Sequence, residues 1–310
     1  MHVPCGEEGV MGQDPLVSVI IPTYNHAHFL REALKSVCEQ TFKNWEAIVV
    51  NNYSEDDTIS VVESFCDERI RLENFHNNGV IAAARNRGIA LARGHYLAFL
   101  DSDDIWFPEK LASCIPRLEN DGCDLVCHGL HWFGDRREKD VYYGPARRAT
   151  FDGLLYKGNC IATSATMVRR GIVESVGGFS EEKSFHTAED YHLWLKLAQA
   201  QAVMGFMDRV LGSYRFHNAN TGGVIKQAKA VRCVLDDFFS KGRSCSLLDR
   251  IRMRFRYGTN EYAVGRGLQA RSQFQDAWPY LFRALFLHPL YFRTYVAIGL
   301  NLFCFNPDKL

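Results

Sequence analysis

Short β-branched runs alternate with longer stretches of helical periodicity through the first hundred residues. The run Val17-Ser18-Val19-Ile20-Ile21, stopped by Pro22, reads as a buried strand, and residues 45–50 and 70–74 read as two more. Between the first two, Phe29, Leu30, Ala33, Leu34 and Val37 share one face of a helix that ends near Gln40, with Asn25 as its candidate cap. Further helices are predicted over 59–65 and 81–92, and a fourth strand over 96–100. Alternation of this kind predicts right-handed βαβ units and a mostly parallel sheet.

Beyond that strand the pattern predicts a helix over 108–120, a strand over 124–133, a helix over 151–157 and a strand over 165–168. A helix over 191–200 follows, packed through Leu193, Trp194, Leu197 and Ala198, and then a strand over 210–217. Residues 134–150 are charged, aromatic and turn-rich, which predicts a hairpin or mobile loop over the site. Residues 218–223 are Gly-rich and polar, suited to a loop that closes over a ligand. From Val224 the pattern is helical to the end. The reading therefore divides the chain into a loose leader (1–15), an α/β domain (16–223) and a helical, basic, amphipathic region (224–310).

The 310 residues carry no net formal charge, which argues against a nucleic-acid binder as a whole. From Lys241 onward, however, 11 Lys/Arg stand against 4 Asp/Glu. There Arg250, Arg252, Arg254 and Arg256 alternate with apolar residues, and Trp278, Tyr280, Phe282 and Phe286 follow. No uninterrupted apolar run reaches the roughly 20 residues that span a bilayer. A basic, aromatic helix can instead lie in the interface of an anionic membrane; the other reading is a bundle packed on the α/β domain or on a second copy, as a homodimer. The ten cysteines include no C-x-x-C pair, so neither a zinc site nor a disulfide framework is expected, and free thiols point to a reducing cytosol. Residues 1–14 have no apolar or basic segment of the signal-peptide kind.

The candidate chemistry starts where the fourth strand breaks into Asp101-Ser102-Asp103-Asp104. Buried carboxylates want a cation, open α/β sheets bind ligands at the carboxyl ends of their strands, and oxygen ligands on a short turn suit Mg²⁺ or Mn²⁺. The alternative is a solvated acidic turn that favours the N-terminus of the helix after Pro108. No G-x-G-x-x-G follows the first strand, so phosphates must be held another way, by metal and by Arg85. His128 and His131 alternate with apolar neighbours and read as satisfied strand-edge histidines rather than ligands.

The segment Pro22-Thr23-Tyr24-Asn25, the loop over 51–58, the run Ala84-Arg85-Asn86-Arg87-Gly88 and the turn Leu100-Asp101-Ser102-Asp103-Asp104 occur in that order. Together they resemble a family 2 inverting glycosyltransferase of the bacterial surface-glycan type, over about residues 16–220. The resemblance implies a GT-A fold: an α/β, Rossmann-like, mostly parallel nucleotide-binding sheet with a smaller acceptor-side subregion. It implies Pro22, Thr23, Tyr24, Asn51 and Asn52 around the nucleotide base and Arg85 near the base or diphosphate. Asp101 would lie near the ribose, with Ser102 among the nucleotide-binding residues. Asp103 would be a metal ligand, and His217, in the ending Tyr214-Arg215-Phe216-His217, a nitrogen ligand or phosphate contact. Thr163, Ser164 and Gly178 would build the donor-sugar or acceptor pocket, Glu189 would orient it, and Asp190 would be the general base rather than only a helix cap. The second loop departs from the usual Asp-Asp-Gly-Ser, reading Asn51-Asn52-Tyr53-Ser54, which leaves the base open.

The implied activity is inverting, metal-dependent transfer of a sugar from a nucleotide-sugar donor, with UDP as the expected carrier, to a hydroxyl of a glycan or lipid-linked glycan. Mn²⁺ or Mg²⁺ would assist, in the cytoplasm and peripherally at the inner face of the cytoplasmic membrane. A nucleotidyltransferase would want a Gly-rich basic loop after the first strand, which Pro22-Thr23-Tyr24-Asn25 is not. A non-catalytic nucleotide-sugar or carbohydrate-binding protein is disfavoured by the intact Asp101, Asp103 and Asp190.

Overall fold

β1 (Val17–Thr23), helix α1 (Ala27–Cys38) and β2 (Trp45–Asn51) form the first crossover, and both strands are buried along their whole length. The structure, a computed structural model, describes residues 14–134, 138–217, 223–240 and 246–305. α2 (Thr58–Glu63), β3 (Ile70–Asn74), α3 (Ile81–Leu91) and β4 (Tyr96–Phe99) complete a parallel half-sheet ordered β3-β2-β1-β4. Because these strands run the same way, their carboxyl ends, and the loops that leave them, gather on one edge.

The sheet then continues with mixed direction. β5 (Ile105–Trp106), α4 (Lys110–Glu119), β6 (Leu125–Gly134), β7 (Lys139–Val141) and α5 (Phe151–Lys157) come next. They are followed by β8 (Thr166–Arg169), α6 (Arg170–Ser175), α7 (Glu189–Gln199) and β9 (Met204–Phe216). β8 lies antiparallel between β4 and β6, β6 runs parallel to β9, and the two-residue β5 closes the far edge against β9. β7 folds back on β6, which makes the expected hairpin out of the 134–150 region; residues 135–137 lie outside the described set.

Alternation along the strands sorts the core. Ile20, Ile48, Val50, Leu97 and Phe99 face one side of the sheet, and Val19, Ile21, Val49, Ala98 and Leu100 face the other. Gly88 lets α3 settle on the first of these sides, since a Cβ there would meet Ile20 Cγ2 at 2.6 Å. The C-terminal helices are α8 (Val224–Ser240), α9 (Leu247–Ala270), α10 (Phe274–Leu287) and α11 (Phe292–Leu302). Ala230, Val234 and Leu235 of α8 and Met253 of α9 join the main core, whereas Val264, Leu268, Ala277, Leu281 and Ala297 form a small core of their own. The helical region thus begins as part of the α/β body and ends as a separate lobe.

Several elements differ from the sequence reading, among them α6, which was not predicted. β5 was not expected, and β9 starts six residues before the expected strand at Val210, carried through Asp208 and Arg209 by its pairing with β6. Asn25 does not cap α1. Its backbone is left-handed (φ 53°), and its side-chain oxygen accepts a hydrogen bond from the Glu55 amide at 2.8 Å. The first-turn amide of Ala27 is capped from the second loop, by Asp56 at 2.8 Å.

Candidate active site

The loops after β1 and β2 are pinned to each other before anything else is built on them. The Asn25 amide donates to Ser54 Oγ at 2.9 Å, and the Asn52 amide donates to the Thr23 carbonyl at 3.0 Å. Asn51 is fully buried and spends its side chain on the scaffold. Its oxygen accepts from the Ser54 amide and hydroxyl, and its amide donates to Asn74 Oδ1 at 2.8 Å. An acidic residue is therefore not needed to shape this loop, and the Asn51 side chain keeps at most one N–H beyond its scaffold bonds. Asn52 is half-buried and accepts from the Asn77 amide, which leaves its own amide group facing outward. Pro22 is buried in the β1–β2 pairing, Thr23 Oγ1 is buried without a partner, and Tyr24 is exposed. These residues crowd the carboxyl ends of β1 and β2, beside the turn that follows β4.

In that turn, Asp101 meets Arg85 from α3. One guanidinium nitrogen of Arg85 lies 2.7 Å from Asp101 Oδ1 and another 2.7 Å from Glu189 Oε1. Burial works against this cation, yet the two carboxylates outweigh it and hold the Arg85 charge firmly in place. Arg85 is thus committed to a clasp that joins the acidic turn to the N-terminus of α7. Its neighbour Asn86 makes two bonds to the backbone of Phe179, both at 2.9 Å, and so fixes the turn after α6.

Ser102, Asp103 and Asp104 continue the acidic turn. Asp103 Oδ2 and His217 Nε2 are 2.9 Å apart, each side chain mostly covered. Burial first, and then Asp101, push the Asp103 carboxyl up from its ordinary range. His26, not singled out from the sequence, lies 3.0 Å from Ser102 Oγ, and its ring meets that of His217 edge-on. Asp104 turns inward to the Arg215 amide at 3.1 Å, so it braces β9 rather than capping α4.

The same guanidinium clasp leads to a cleft of about 490 Å³ whose lining includes Asp101, Thr163, Ser164, Glu189 and Asp190. Ser164 Oγ accepts from the Asp101 amide at 3.1 Å, and the Ser164 carbonyl accepts from the Trp106 indole at 2.7 Å. Glu189 accepts from the Thr187 amide. Asp190 accepts from Thr163 Oγ1 at 3.1 Å and from the Tyr191 amide at 2.6 Å. Burial, with the Glu189 carboxylate beside it, pushes the Asp190 carboxyl up to about 6, against the opposing pull of Arg85.

Gly178 does not belong to this group. Its φ of 62° and the Asn86 oxygen 2.7 Å from where a Cβ would stand make it the hinge of the turn that Asn86 holds, away from the cleft lining. His131 is satisfied within the hairpin by Asp140 at 2.8 Å. His128 is not at a strand edge: it is wholly buried, bonded to the Gly129 carbonyl at 2.8 Å, and held neutral with its pKa lowered to about 3 by burial.

Two sets of cleft residues were not legible in advance. Trp132, Tyr143, Tyr214 and Phe216 form an aromatic wall, with Trp132 and Phe216 edge-to-face at 4.9 Å. For Trp132 on β6 and Tyr214 and Phe216 on β9, alternation along the strand was the available signal; Tyr143 follows β7. The other set, Val224, Gln227 and Arg271, comes from the C-terminal helices. Among the described residues no three His, Cys, Asp or Glu side chains cluster as a ready metal cage. Asp103 and His217 still fit a hard divalent ion, as an oxygen–nitrogen pair 2.9 Å apart beside the acidic turn. Ions of that kind commonly take one or two protein ligands and complete their shell with substrate phosphates.

The chain matches the family model "Glycosyl transferase family 2" over residues 18–177. It is 31% identical to the putative teichuronic acid biosynthesis glycosyltransferase TuaG of Bacillus subtilis, across 66% of this chain and 80% of that protein. It is also 31% identical to the UDP-Glc:alpha-D-GlcNAc-diphosphoundecaprenol beta-1,3-glucosyltransferase WfgD of Escherichia coli, across 73% of this chain and 87% of that one. Uncharacterized rickettsial glycosyltransferases are matched over 66% of their length or less. Among solved structures, the mannosyltransferase PcManGT from Pyrobaculum calidifontis, in complex with GDP-Man and Mn2+, superposes with a TM-score of 0.62 at 20% identity. That match covers 96% of this chain and 83% of the other, and its likeness is one of fold.

Proposed function

The chain belongs to glycosyl transferase family 2 and has the GT-A fold, and on that premise we propose that it moves a sugar from a UDP-sugar to a hydroxyl of a lipid-linked glycan, with inversion. The observation that carries the reading is the Arg85 clasp, which brings the acidic turn after β4 and the Asp190 end of α7 to one cleft. WfgD, by its name, uses UDP-Glc and a diphosphoundecaprenol-linked acceptor, which supports this choice of donor and acceptor; TuaG, by its name, belongs to teichuronic acid biosynthesis and supports glycan transfer more broadly.

In this reading the nucleoside sits at the carboxyl ends of β1 and β2 against Thr23, Tyr24 and Asn52, with Asp101 and Ser102 toward the ribose. Asp103 and His217 would hold Mg²⁺ or Mn²⁺, which when bound neutralises diphosphate charge. The acceptor hydroxyl attacks the anomeric carbon while Asp190 takes its proton; the bond from that carbon to the phosphate oxygen breaks on the opposite face, and the nucleoside diphosphate leaves with the electron pair. A carboxyl near 6 is ionised at neutral pH yet basic enough to receive that proton. Thr163 orients it, Glu189 stays locked to Arg85, and the aromatic wall offers flat apolar faces to a sugar ring.

A second surface belongs to the same reading. Phe282, Phe286, Leu290, Phe292 and Phe303 are exposed at the end of the C-terminal lobe, with Arg254 and Arg283 among them. No helix among the described residues is long and apolar enough to cross a membrane. We take this face to rest on an anionic bilayer, where the acceptor's lipid is embedded.

The test is a thermal-shift screen of nucleotide sugars with and without Mn²⁺, followed by product analysis. Metal-dependent stabilisation by a UDP-sugar and a product of inverted anomeric configuration are expected. Indifference to every nucleotide sugar would overturn the donor assignment, and retention of configuration would remove Asp190 as the base. Flotation of the full chain with anionic but not with neutral vesicles checks the membrane face.

A further inference from the structure

The reacting cleft does not end at Asp190. It shares Gly223, Val224 and Arg271 with a second cavity of about 590 Å³ that runs out along α10 past Asp276, Tyr280 and Arg283. Arg271 therefore lines two neighbouring spaces, one holding the Asp190 carboxylate and the other running along the C-terminal lobe. It is exposed, and no acidic side chain among the described residues pairs with it. Arg283, further out, is only loosely engaged, with Glu261 at 4.0 Å and its guanidinium over the Tyr280 ring.

Beyond Arg283, outside the cavity itself, the neighbouring surface of α10 changes character. Phe282 and Phe286 stand four residues apart on one exposed face of α10, and Phe286 is adjacent to Arg283 by helical spacing. From the inside outward the path thus runs from a carboxylate and hydroxyls, through a cation that lines both spaces, to a second cation and then to exposed aromatic rings. One carboxylate, Asp276, also lines the outer cavity. That sequence of surfaces complements a molecule with a sugar at one end, an anionic linkage in the middle and a hydrocarbon tail at the other.

We propose that this second cavity is the acceptor channel, in which Arg271 holds the diphosphate of a lipid-linked acceptor so that the acceptor's sugar hydroxyl reaches Asp190. The inference rests on the transferase reading above and extends it. It assigns acceptor recognition to the C-terminal helices, which lie outside the matched family region of residues 18–177. A guanidinium suits this role because its planar fork makes two parallel charge-assisted bonds to a phosphate and keeps its charge when partly desolvated. Arg283 provides a second charge for the longer linkage, and the phenylalanines receive the first carbons of the tail.

The experiment uses farnesyl diphosphate, a lipid diphosphate without a sugar, titrated calorimetrically into the full-length protein saturated with UDP and Mg²⁺. Saturable binding is expected in wild type, weakened about tenfold or more in Arg271→Ala and partly restored in Arg271→Lys, because a lysine supplies the charge without the fork. UDP affinity, measured on the same variants, reports whether they are folded and whether the donor site is intact. Repeating the titration without UDP keeps the result readable should the donor reading itself fail. Equal binding by Arg271→Ala, or equal binding of uncharged farnesol by wild type, would overturn the proposal. So would competition between farnesyl diphosphate and UDP together with a loss of UDP affinity in Arg271→Ala, which would mean that Arg271 serves the donor's own diphosphate.

Discussion

Arg85 and Glu189 are separated by 104 residues of sequence and meet at 2.7 Å in the interior, each side chain less than a tenth exposed. The same guanidinium reaches Asp101, so one side chain neutralises two carboxylates that would otherwise repel across the cleft. Removing it leaves uncompensated negative charge in a buried setting, which typically costs about 3–5 kcal/mol. Arg85→Ala is therefore expected to lower the urea midpoint sharply and to weaken transfer through displacement of α7. Arg85→Lys should recover only part of the stability, since one ammonium cannot reproduce the fork. An unfolding free energy within about 0.5 kcal/mol of wild type would show that the two carboxylates are solvated instead.

The Asp190 carboxyl, pushed up to about 6, gives transfer an acid limb. The base works only when ionised, so kcat should be level above neutral pH and fall about tenfold per unit well below pH 6. Asp190→Asn should lose transfer by about 10²–10⁴-fold while UDP affinity survives. Stability should move the other way. A carboxyl whose folded pKa is raised contributes most below its unfolded pKa, and that contribution is lost as pH rises through 6. Asp190→Asn should accordingly melt higher than wild type at pH 7.5 and show no such gain at pH 4. A variant less stable at both values would mean that Asp190 serves chiefly as a structural acceptor for Thr163 and Tyr191.

Asp103 and His217 should carry the metal dependence together. With the wild-type protein, Mn²⁺ is expected to raise the Tm in the presence of UDP more than UDP alone does. In Asp103→Ala that increment should vanish, and in His217→Ala it should shrink, because the anionic oxygen ligand, which a hard divalent ion prefers, remains. An undiminished increment in both variants would move the ion elsewhere in the cleft.

The parallel half-sheet was readable because β1, β2 and β4 are short apolar runs that break into polar turns, and α1 carries a single apolar stripe; β1 runs one residue past Pro22, to Thr23. The mixed half was harder: β5 has two residues, and β9 passes through Asp208 and Arg209, which interrupt any apolar pattern. At the site, the acidic break after β4 singled out Asp101 and Asp103, and the family resemblance pointed to Glu189 and Asp190, but neither could reveal what each already bonds. Asn51 is consumed by Ser54 and Asn74, Arg85 by two carboxylates, and Gly178 serves a turn clamped by Asn86. Arg271 was invisible for a further reason: nothing in its own neighbourhood of the chain is chemical, and only the packing of α8 and α9 brings it to the cleft.

Lys110, finally, is wholly buried at the start of α4, with its ammonium 3.6 Å from the centre of the Trp106 ring and without a hydrogen-bond acceptor among the described residues. Burial lowers its pKa to about 8, and the buried Cys114 and Cys127 thiols nearby do little to offset that. Between about pH 8 and the ordinary lysine range the unfolded chain holds a proton that the folded chain has released, so stability should rise with pH through that window. At pH 7 the folded protein carries the cost of the buried charge. Lys110→Met keeps most of the stem's volume and removes the charge, so it should stabilise at pH 7 by about 1–3 kcal/mol, from ~1.4 kcal/mol per pKa unit. The gain should fade by pH 10 to 11. Paired denaturant titrations at the two pH values measure this directly. Because Trp106 donates to the Ser164 carbonyl rather than to the lysine, the cleft floor should be undisturbed and UDP affinity unchanged. Destabilisation at pH 7 would instead show that the cation–π contact with Trp106 outweighs the burial of the ammonium.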